Sequence, residues 1–401
     1  MIDWKKTQYK KILISILAIG IVLRIASVIV LGQEKQNTWE YGTIAENLAN
    51  GKGYSFYYFD GVNIKSEYRE DKSPAPSAYM APGYVLTLYL FKTISSDNIY
   101  KVLVFFFNLL LFTITVLLLF NFTSWLTNDK AALFAVTMYC FIPEFIYTTY
   151  SLGATQLYHF FIIAIFYFAL VKTKRNSIYL AIIFGVAILF RFELILLLIF
   201  FSVYFLFKKE IKKVILLAII PTMFLSPWII RNYTVFDEFI PTSTTGGLNL
   251  FRGNNNVIIG GWHNFETLDK VRSYNGDKDM IELYLSEMYK EEAITYITED
   301  FGRTTLNFGK KFFFFWILNP NEEESISIIY IIPWFILLSL SVVGFYKIKD
   351  KNSLIKLYFI YHTTLAVVFI PLLRYQTMMK VMLIPFAAYG IYQLLNANKK
   401  Q

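Results

Sequence analysis

Ten apolar runs separated by polar stretches constrain this chain more than any other feature. They fall at about 12–31, 102–122, 131–149, 154–171, 177–190, 194–207, 212–230, 326–346, 354–371 and 379–396. Several approach the ~20 residues that carry an α-helix across a bilayer core. Of all residues, 56% are hydrophobic and 17% charged, against about 25% charged in soluble domains. That apolar excess is more than one water-soluble core can bury. The chain reads as an all-α polytopic membrane protein with about ten transmembrane helices. Runs 177–190 and 194–207 are short enough to form one kinked pass instead. The first run follows Lys5, Lys6, Lys10 and Lys11, as in a signal peptide. However, it is long, holds Arg24 and lacks a small-x-small cleavage site, so a retained span is expected.

The net charge of +9 does not point to nucleic acid, because the basic residues sit in short clusters between apolar runs. With a cytoplasmic N-terminus, the inner loops hold Lys130; Lys172, Lys174 and Arg175; Lys208, Lys209, Lys212 and Lys213; and Lys347, Lys349, Lys351 and Lys356. Lys399 and Lys400 close the chain on the same side. The short outer turns hold only Arg191, Arg374 and Lys380. One assignment thus satisfies the positive-inside rule at every short loop. It predicts a plasma (inner) membrane protein with both termini in the cytoplasm. Three parts follow: an N-terminal transmembrane module, 1–230, containing a long outer loop at 32–101; a second extracytoplasmic loop region, 231–325; and C-terminal transmembrane helices, 326–401. Loops of that length are uncommon unless functional, so the chemistry is sought there. Segment 82–96 opens with Pro82-Gly83 and is too short to span, which predicts an interfacial or re-entrant piece. Segment 279–300 places Met280, Leu283, Tyr284, Met288 and Ile294 at helical spacing and predicts a surface helix.

The first outer loop reads NTWEYGTIAENLANGKG over 37–53. Tyr41, Ile44, Ala45 and Leu48 form one stripe, and Glu40, Thr43 and Asn47 another, so a short amphipathic helix is expected, stopped by Asn50-Gly51. Glu40 would stand in its first turn, beside Trp39 and close to the membrane. Two readings stay open from pattern alone. Asn37-x-x-Glu40 resembles a capping box, or Glu40 is a catalytic carboxylate. Glu70 and Asp71, in EYREDK, are the alternative acids, although such a run is more often a solvated face. Asp277-Lys278-Asp279 has the DxD form of nucleotide-sugar enzymes but stands where a helix N-cap is expected, outside the cytoplasm. Gly51-Lys52-Gly53 lacks the GK[ST] of a P-loop. The single Cys140 excludes an internal disulfide and any CxxC site. His159, His263 and His362 are scattered. No cofactor is indicated; a divalent metal is compatible with the chemistry, but no ligand spacing asks for one.

Five segments occur in an order that resembles a known family: WEYGTIAENLANGKGYSF at 39–56, SAYMAPGY at 77–84, ILFRFELILLL at 188–198, PWIIRNYTVFDEFIPTSTTGGLNLFRGNN at 227–255, and RYQTMMKVMLIPFAAYGI at 374–391. Together they resemble the GT-C superfamily of polytopic glycosyltransferases, in particular the glycosyltransferase family 39-like branch of protein O-mannosyltransferases and the lipid A aminoarabinose transferase. The resemblance implies the GT-C fold, with short interfacial helices in the two outer loops. It also implies an acid just after the first span at the catalytic centre, a sugar delivered on a polyprenyl phosphate, and inversion at the anomeric carbon. The matching acid is Glu40. The chain departs from the pattern at Asn37, where many relatives carry Asp, and at Gln156, where many carry Glu. It also has Met80 and Ala81 where a basic residue often precedes the proline. The implied partners are a polyprenyl-phosphate-linked sugar, a lipid, glycan or protein acceptor, and membrane lipids.

Such a transfer needs a base for the acceptor hydroxyl, alignment of both reactants and neutralisation of the departing phosphate. For the phosphate, the outer-face candidates are Arg69, Lys72, Arg231, Arg252 and Arg374, alongside Arg191, His263 and Arg303. Arginine's planar fork suits phosphate oxygens, although a lone juxtamembrane arginine commonly snorkels to lipid headgroups. Tyr79, Tyr375 and Asn254 are candidates to hydrogen-bond sugar or phosphate, against the plainer reading of the tyrosines as interfacial belt residues. Arg24 needs a partner inside the membrane; Glu144 and Glu193 are the carboxylates considered. Arg191 and Glu193 are expected to pair locally. Two other functions fit less well. A polysaccharide polymerase or ligase would use diphosphate-linked donors. A transporter or flippase would line a midplane pathway with ionisable groups, whereas here they gather on one face. Cysteine labelling should place positions 60 and 265 outside and 174, 210 and 350 inside. Labelling of 60 and 265 from opposite sides would remove any basis for one site built from both outer segments.

Overall fold

The computed structural model describes residues 7–32, 36–60, 63–171, 175–260, 274–348 and 353–397. Seventeen α-helices stand among them: α1 (Thr7–Leu31), α2 (Trp39–Ala49), α3 (Pro82–Thr93), α4 (Asp97–Leu126), α5 (Asp129–Phe141), α6 (Pro143–Tyr150), α7 (Thr155–Leu170), α8 (Asn176–Phe190), α9 (Leu194–Phe207), α10 (Ile211–Phe236), α11 (Thr245–Gly253), α12 (Ile281–Glu299), α13 (Phe301–Trp316), α14 (Ile328–Lys347), α15 (Ser353–Val368), α16 (Leu373–Lys380) and α17 (Ile384–Ala397). A two-stranded antiparallel hairpin, β1 (Tyr58–Phe59) and β2 (Ile64–Lys65), pairs Tyr58 with Lys65 and Phe59 with Ile64.

Every apolar run read from the sequence is helical. Within the described residues, α1, α4, α10 and α14 are long and apolar enough to cross a membrane, and α7, α8, α9 and α15 are shorter apolar helices. Two further pairs are bent at a break, α5/α6 by 58° and α16/α17 by 57°. Run 131–149 is therefore two helices rather than one, and the final run starts inside the second bent pair. The first break is chemical. Pro143 has no N–H to offer the carbonyl of Tyr139 and sets Ile142 in an extended conformation. On the outside of the bundle, Ile14, Ile19, Val22, Ile29 and Val30 of α1 are exposed, as a lipid-facing surface requires. α14 and α17 approach through glycine: a Cβ on Gly344 would lie 1.8 Å from the Phe386 carbonyl oxygen, a close contact of the kind that small residues permit in membranes.

Arg24 has a different partner from the carboxylates considered above. Glu144 pairs with Lys380 and Glu193 with Arg191. The fully buried Arg24 guanidinium donates to the carbonyls of Gly20 (3.1 Å), Cys140 (3.1 Å), Tyr139 (3.2 Å) and Phe145 (3.0 Å), and to the Thr149 hydroxyl at 3.2 Å. It also lies 3.5 Å over the Phe112 ring. The reason is the α5/α6 break, which orphans carbonyls at the end of α5; a planar five-donor cation can serve several at once. Arg24→Met should lower stability by about 3 kcal/mol or more, since hydrogen bonds to a charged group contribute roughly 1.5–3 kcal/mol each, with Arg24→Lys intermediate. Thermal unfolding in detergent micelles measures this, and an unchanged midpoint would refute the role.

Candidate active site

The helix expected after the first span is present as α2, and its stop is Asn50 followed by Gly51 at φ 74°. Its start differs from a capping box. The N-cap is Thr38, whose hydroxyl meets the Tyr100 hydroxyl at 3.1 Å and makes no cap bond. Asn37 Oδ1 accepts instead from the Trp39 amide at 2.7 Å. Gly42 is required by this arrangement, because a Cβ there would fall 1.9 Å from the Thr38 hydroxyl oxygen. Among the described residues, no cap bond and no ion pair engages the half-buried Glu40 carboxylate.

What Glu40 faces is a group of charges brought from distant parts of the chain. Arg374, in the first turn of α16, lies in the field of Glu40, Arg191 and Tyr375. Arg374 itself is exposed, whereas Gln376 to Lys380, which follow it on the same helix, are buried. Tyr41 stands in the same group: burial pushes its hydroxyl pKa up, Arg191 opposes this, Glu193 and Glu40 reinforce it, and Arg374 opposes it. Arg191, in the α8–α9 turn, donates through Nε to Glu193 Oε1 at 2.6 Å, as the local pair predicted. Burial works against its charge, but Glu193, Tyr41 and Tyr375 more than offset that, and its pKa is raised. The Tyr361 hydroxyl fixes this turn by donating to the Glu193 carbonyl at 3.0 Å. Glu40, without an ion-pair partner among the described residues, thus shares its electrostatic surroundings with two guanidiniums and with Tyr41 and Tyr375.

The other sequence candidates lie elsewhere. Arg69 pairs with Asp71 at 3.2 Å on the exposed 67–72 stretch, where Glu70 is also exposed. Lys52 reaches the Glu70 and Lys72 carbonyls at 3.0 and 2.8 Å and ties that loop down. Arg231 donates to the carbonyls of Ser77 (2.6 Å) and Tyr54 (3.1 Å), holding the first outer loop to the end of α10. Tyr79 is buried against Phe56 and Tyr57. Arg252 is half-buried at the end of α11. Arg303 lies 3.9 Å over the Tyr296 ring. His263 falls outside the described residues. Asp277 accepts from the Asp279 amide at 3.0 Å, as an N-cap does. Among the described residues, no cluster of three or more His, Cys, Asp or Glu is arranged to hold a metal ion.

Three buried charges went unread in the sequence. Glu282 accepts from the Ala78 amide and the Thr244 hydroxyl, both at 2.6 Å, and so joins α12 to the first outer loop. The buried stripe of α12 is Ile281, Leu285, Met288, Tyr289, Ala293 and Tyr296; of the five residues read from spacing, only Met288 belongs to it, Met280, Leu283 and Tyr284 being half-buried and Ile294 exposed. Glu322 is half-buried within the field of Arg374; burial pushes its carboxyl up, and a bond from the Leu373 backbone opposes this. Lys311 stands in KKFFFFW on α13. It is fully buried, donating to Gly253 O (3.1 Å), Asn254 Oδ1 (3.0 Å), Val368 O (3.4 Å) and Phe369 O (3.3 Å). Asn254 is thus engaged in holding the α15–α16 turn. Burial lowers the Lys311 amine to about 7, whereas an unfolded chain keeps lysine near ~10.4. From about pH 7 to about pH 10 the unfolded state therefore holds a proton the folded state lacks, and stability should rise with pH through that window. Lys311→Met should flatten the rise. Unfolding midpoints at several pH values test it, and a variant that rises as steeply as the parent would refute it.

Residues 79–230 match the family model described as dolichyl-phosphate-mannose-protein mannosyltransferase, a segment that includes Arg191 but neither Glu40 nor Arg374. No curated protein sequence matches. Among solved structures, the archaeal oligosaccharyltransferase AglB from Archaeoglobus fulgidus, in complex with an inhibitory peptide and a dolichol-phosphate, superposes with a TM-score of 0.53 at 11% identity, covering 99% of this chain and 52% of that one. The Archaeoglobus fulgidus oligosaccharyltransferase in its apo form gives 0.52 at 11% identity, covering 99% and 53%. The chain spans about half the length of these structures, and at such identity the likeness concerns the fold. The chain is a polytopic membrane protein of the GT-C fold, and from 79 to 230 its sequence is similar to a glycosyltransferase family model.

Proposed function

We propose that this protein is a membrane glycosyltransferase that moves a sugar from a polyprenyl phosphate to an acceptor hydroxyl on the extracytoplasmic face, with inversion. The observation that carries the proposal is a Glu40 carboxylate with no ion-pair partner among the described residues, whose field acts together with that of Arg191 on Arg374 and Tyr41. Glu40 takes the proton of the acceptor hydroxyl, the freed oxygen attacks the anomeric carbon, and the carbon–oxygen bond to phosphate breaks in the same displacement. Charge then builds on the departing phosphate. Arg374, held by no carboxylate among the described residues, supplies the opposing field. Arg191 is tied to Glu193 and serves mainly to shape the wall. The dolichol phosphate in the AglB complex supports a lipid-phosphate ligand on this fold. The second outer region, joined to the first through Glu282 and Arg231, forms the other side of the acceptor approach.

Glu40→Gln tests the central role. Glu40 makes no capping bond, so the substitution should leave α2 and the fold intact. Transfer should fall by roughly 10²–10⁴-fold, the usual contribution of a general base. Donor binding should change far less, because the lost interaction belongs to the transition state. A purified, folded glutamine variant with near-normal turnover on a panel of polyprenyl-phosphate sugars would end this assignment.

A further inference from the structure

α16 carries Arg374 and Tyr375 yet has only eight residues, too few for a helix to hold its own shape or place. Its position is set by what grips it. Lys380, at its last turn, is 1% exposed and donates to Glu144 Oε2 at 2.8 Å and to the Tyr330 hydroxyl at 2.6 Å. The same ammonium lies 3.8 Å over the Tyr330 ring and 4.6 Å over Trp334. Thr377, one turn earlier, donates its hydroxyl to the other Glu144 oxygen. Both oxygens of one carboxylate are therefore committed to α16. Neutral bonds complete the grip: His159 meets the Thr377 carbonyl at 3.0 Å, the Tyr358 hydroxyl donates to the Met378 carbonyl at 3.0 Å, and Gln376 donates to the Phe315 carbonyl.

Resting on the function proposed above, we infer that Glu144 and Lys380 form a positioning pair, which sets where Arg374 stands opposite Glu40 without touching substrate. Glu144 stands in the first turn of α6, directly after the break at Pro143. The pair thus anchors the arginine-bearing helix to the same bent element that Arg24 holds. A buried ion pair of this kind is weak grounds for stability but fixes geometry. Removing one partner leaves the other charge to find a new place and lets α16 shift with it.

A double-mutant cycle on the purified full chain separates positioning from mere support. Lys380→Met alone should cost about tenfold or more in transfer, within the range of coupled neighbours, and Lys380→Arg should restore part of it. In an Arg374→Ala background the same substitution should cost less than about threefold, because nothing remains to be placed. Equal losses in both backgrounds, with Arg374→Ala itself impaired, would overturn the positioning role and leave the proposed function standing. An Arg374→Ala variant of normal activity would overturn the phosphate assignment, and the inference with it. Should Lys380→Met fail to fold, Thr377→Val, which removes one bond to Glu144, carries the same cycle with the same outcomes.

Discussion

The rest of the site depends on how one buried cation meets a broken helix. Pro143 interrupts the ladder between α5 and α6, and carbonyls that would be satisfied in a continuous helix are left facing apolar surroundings. Arg24 of α1 reaches two of them, at Tyr139 and Cys140, together with the Phe145 carbonyl beyond the break. A charge that would be costly in lipid and backbone groups that would be costly unpaired thus offset each other. The 58° bend that results aims α6 and its Glu144 at α16, and through α16 the fold delivers Arg374 to the mouth of the site.

The outer half shows a second use of neutral oxygen atoms to hold a cation. Lys311 has carbonyl and amide partners only, so it remains near its neutral point and pins the α15–α16 turn through hydrogen bonds more than through charge. Lys380, by contrast, faces a carboxylate. The two lysines hold the turn before α16 and the last turn of α16, and the arginine stands between them. Rigidity at that position is what the phosphate role proposed for Arg374 would need, since displacement of about 1 Å can cost a hundredfold in rate.

Much of this was legible from spacing. Apolar runs marked the four to six candidate spans and the shorter apolar helices among the described residues, because lipid demands long apolar stretches whatever their packing partners. α2 and its stop were readable because Asn50-Gly51 is local chemistry. The capping box failed for an equally local reason that pattern does not reveal: Thr38 turns its hydroxyl to Tyr100, a residue in another helix. The ordered motifs offered Glu40, Arg231 and Arg374 alike, and only three-dimensional contact shows that Arg231 is bonded to backbone carbonyls and Arg69 to a surface acid, whereas Arg374 has no carboxylate partner among the described residues. Lys311 and Glu282 stayed hidden because a buried charge and a solvated one look the same in a polar stretch. What separates them is the tertiary oxygen or amide each one meets.

Glu40 and Arg374 lie far apart in the chain. The carboxylate follows the first helix, whereas the arginine sits on a short helix whose clamp joins the sixth, seventh, fourteenth and fifteenth helices. A nascent chain therefore carries an isolated acid at the membrane surface until its later spans have been inserted and docked. On the function proposed here, the acid and the arginine would meet only at the close of membrane insertion, so a half-built copy would hold one group without the other.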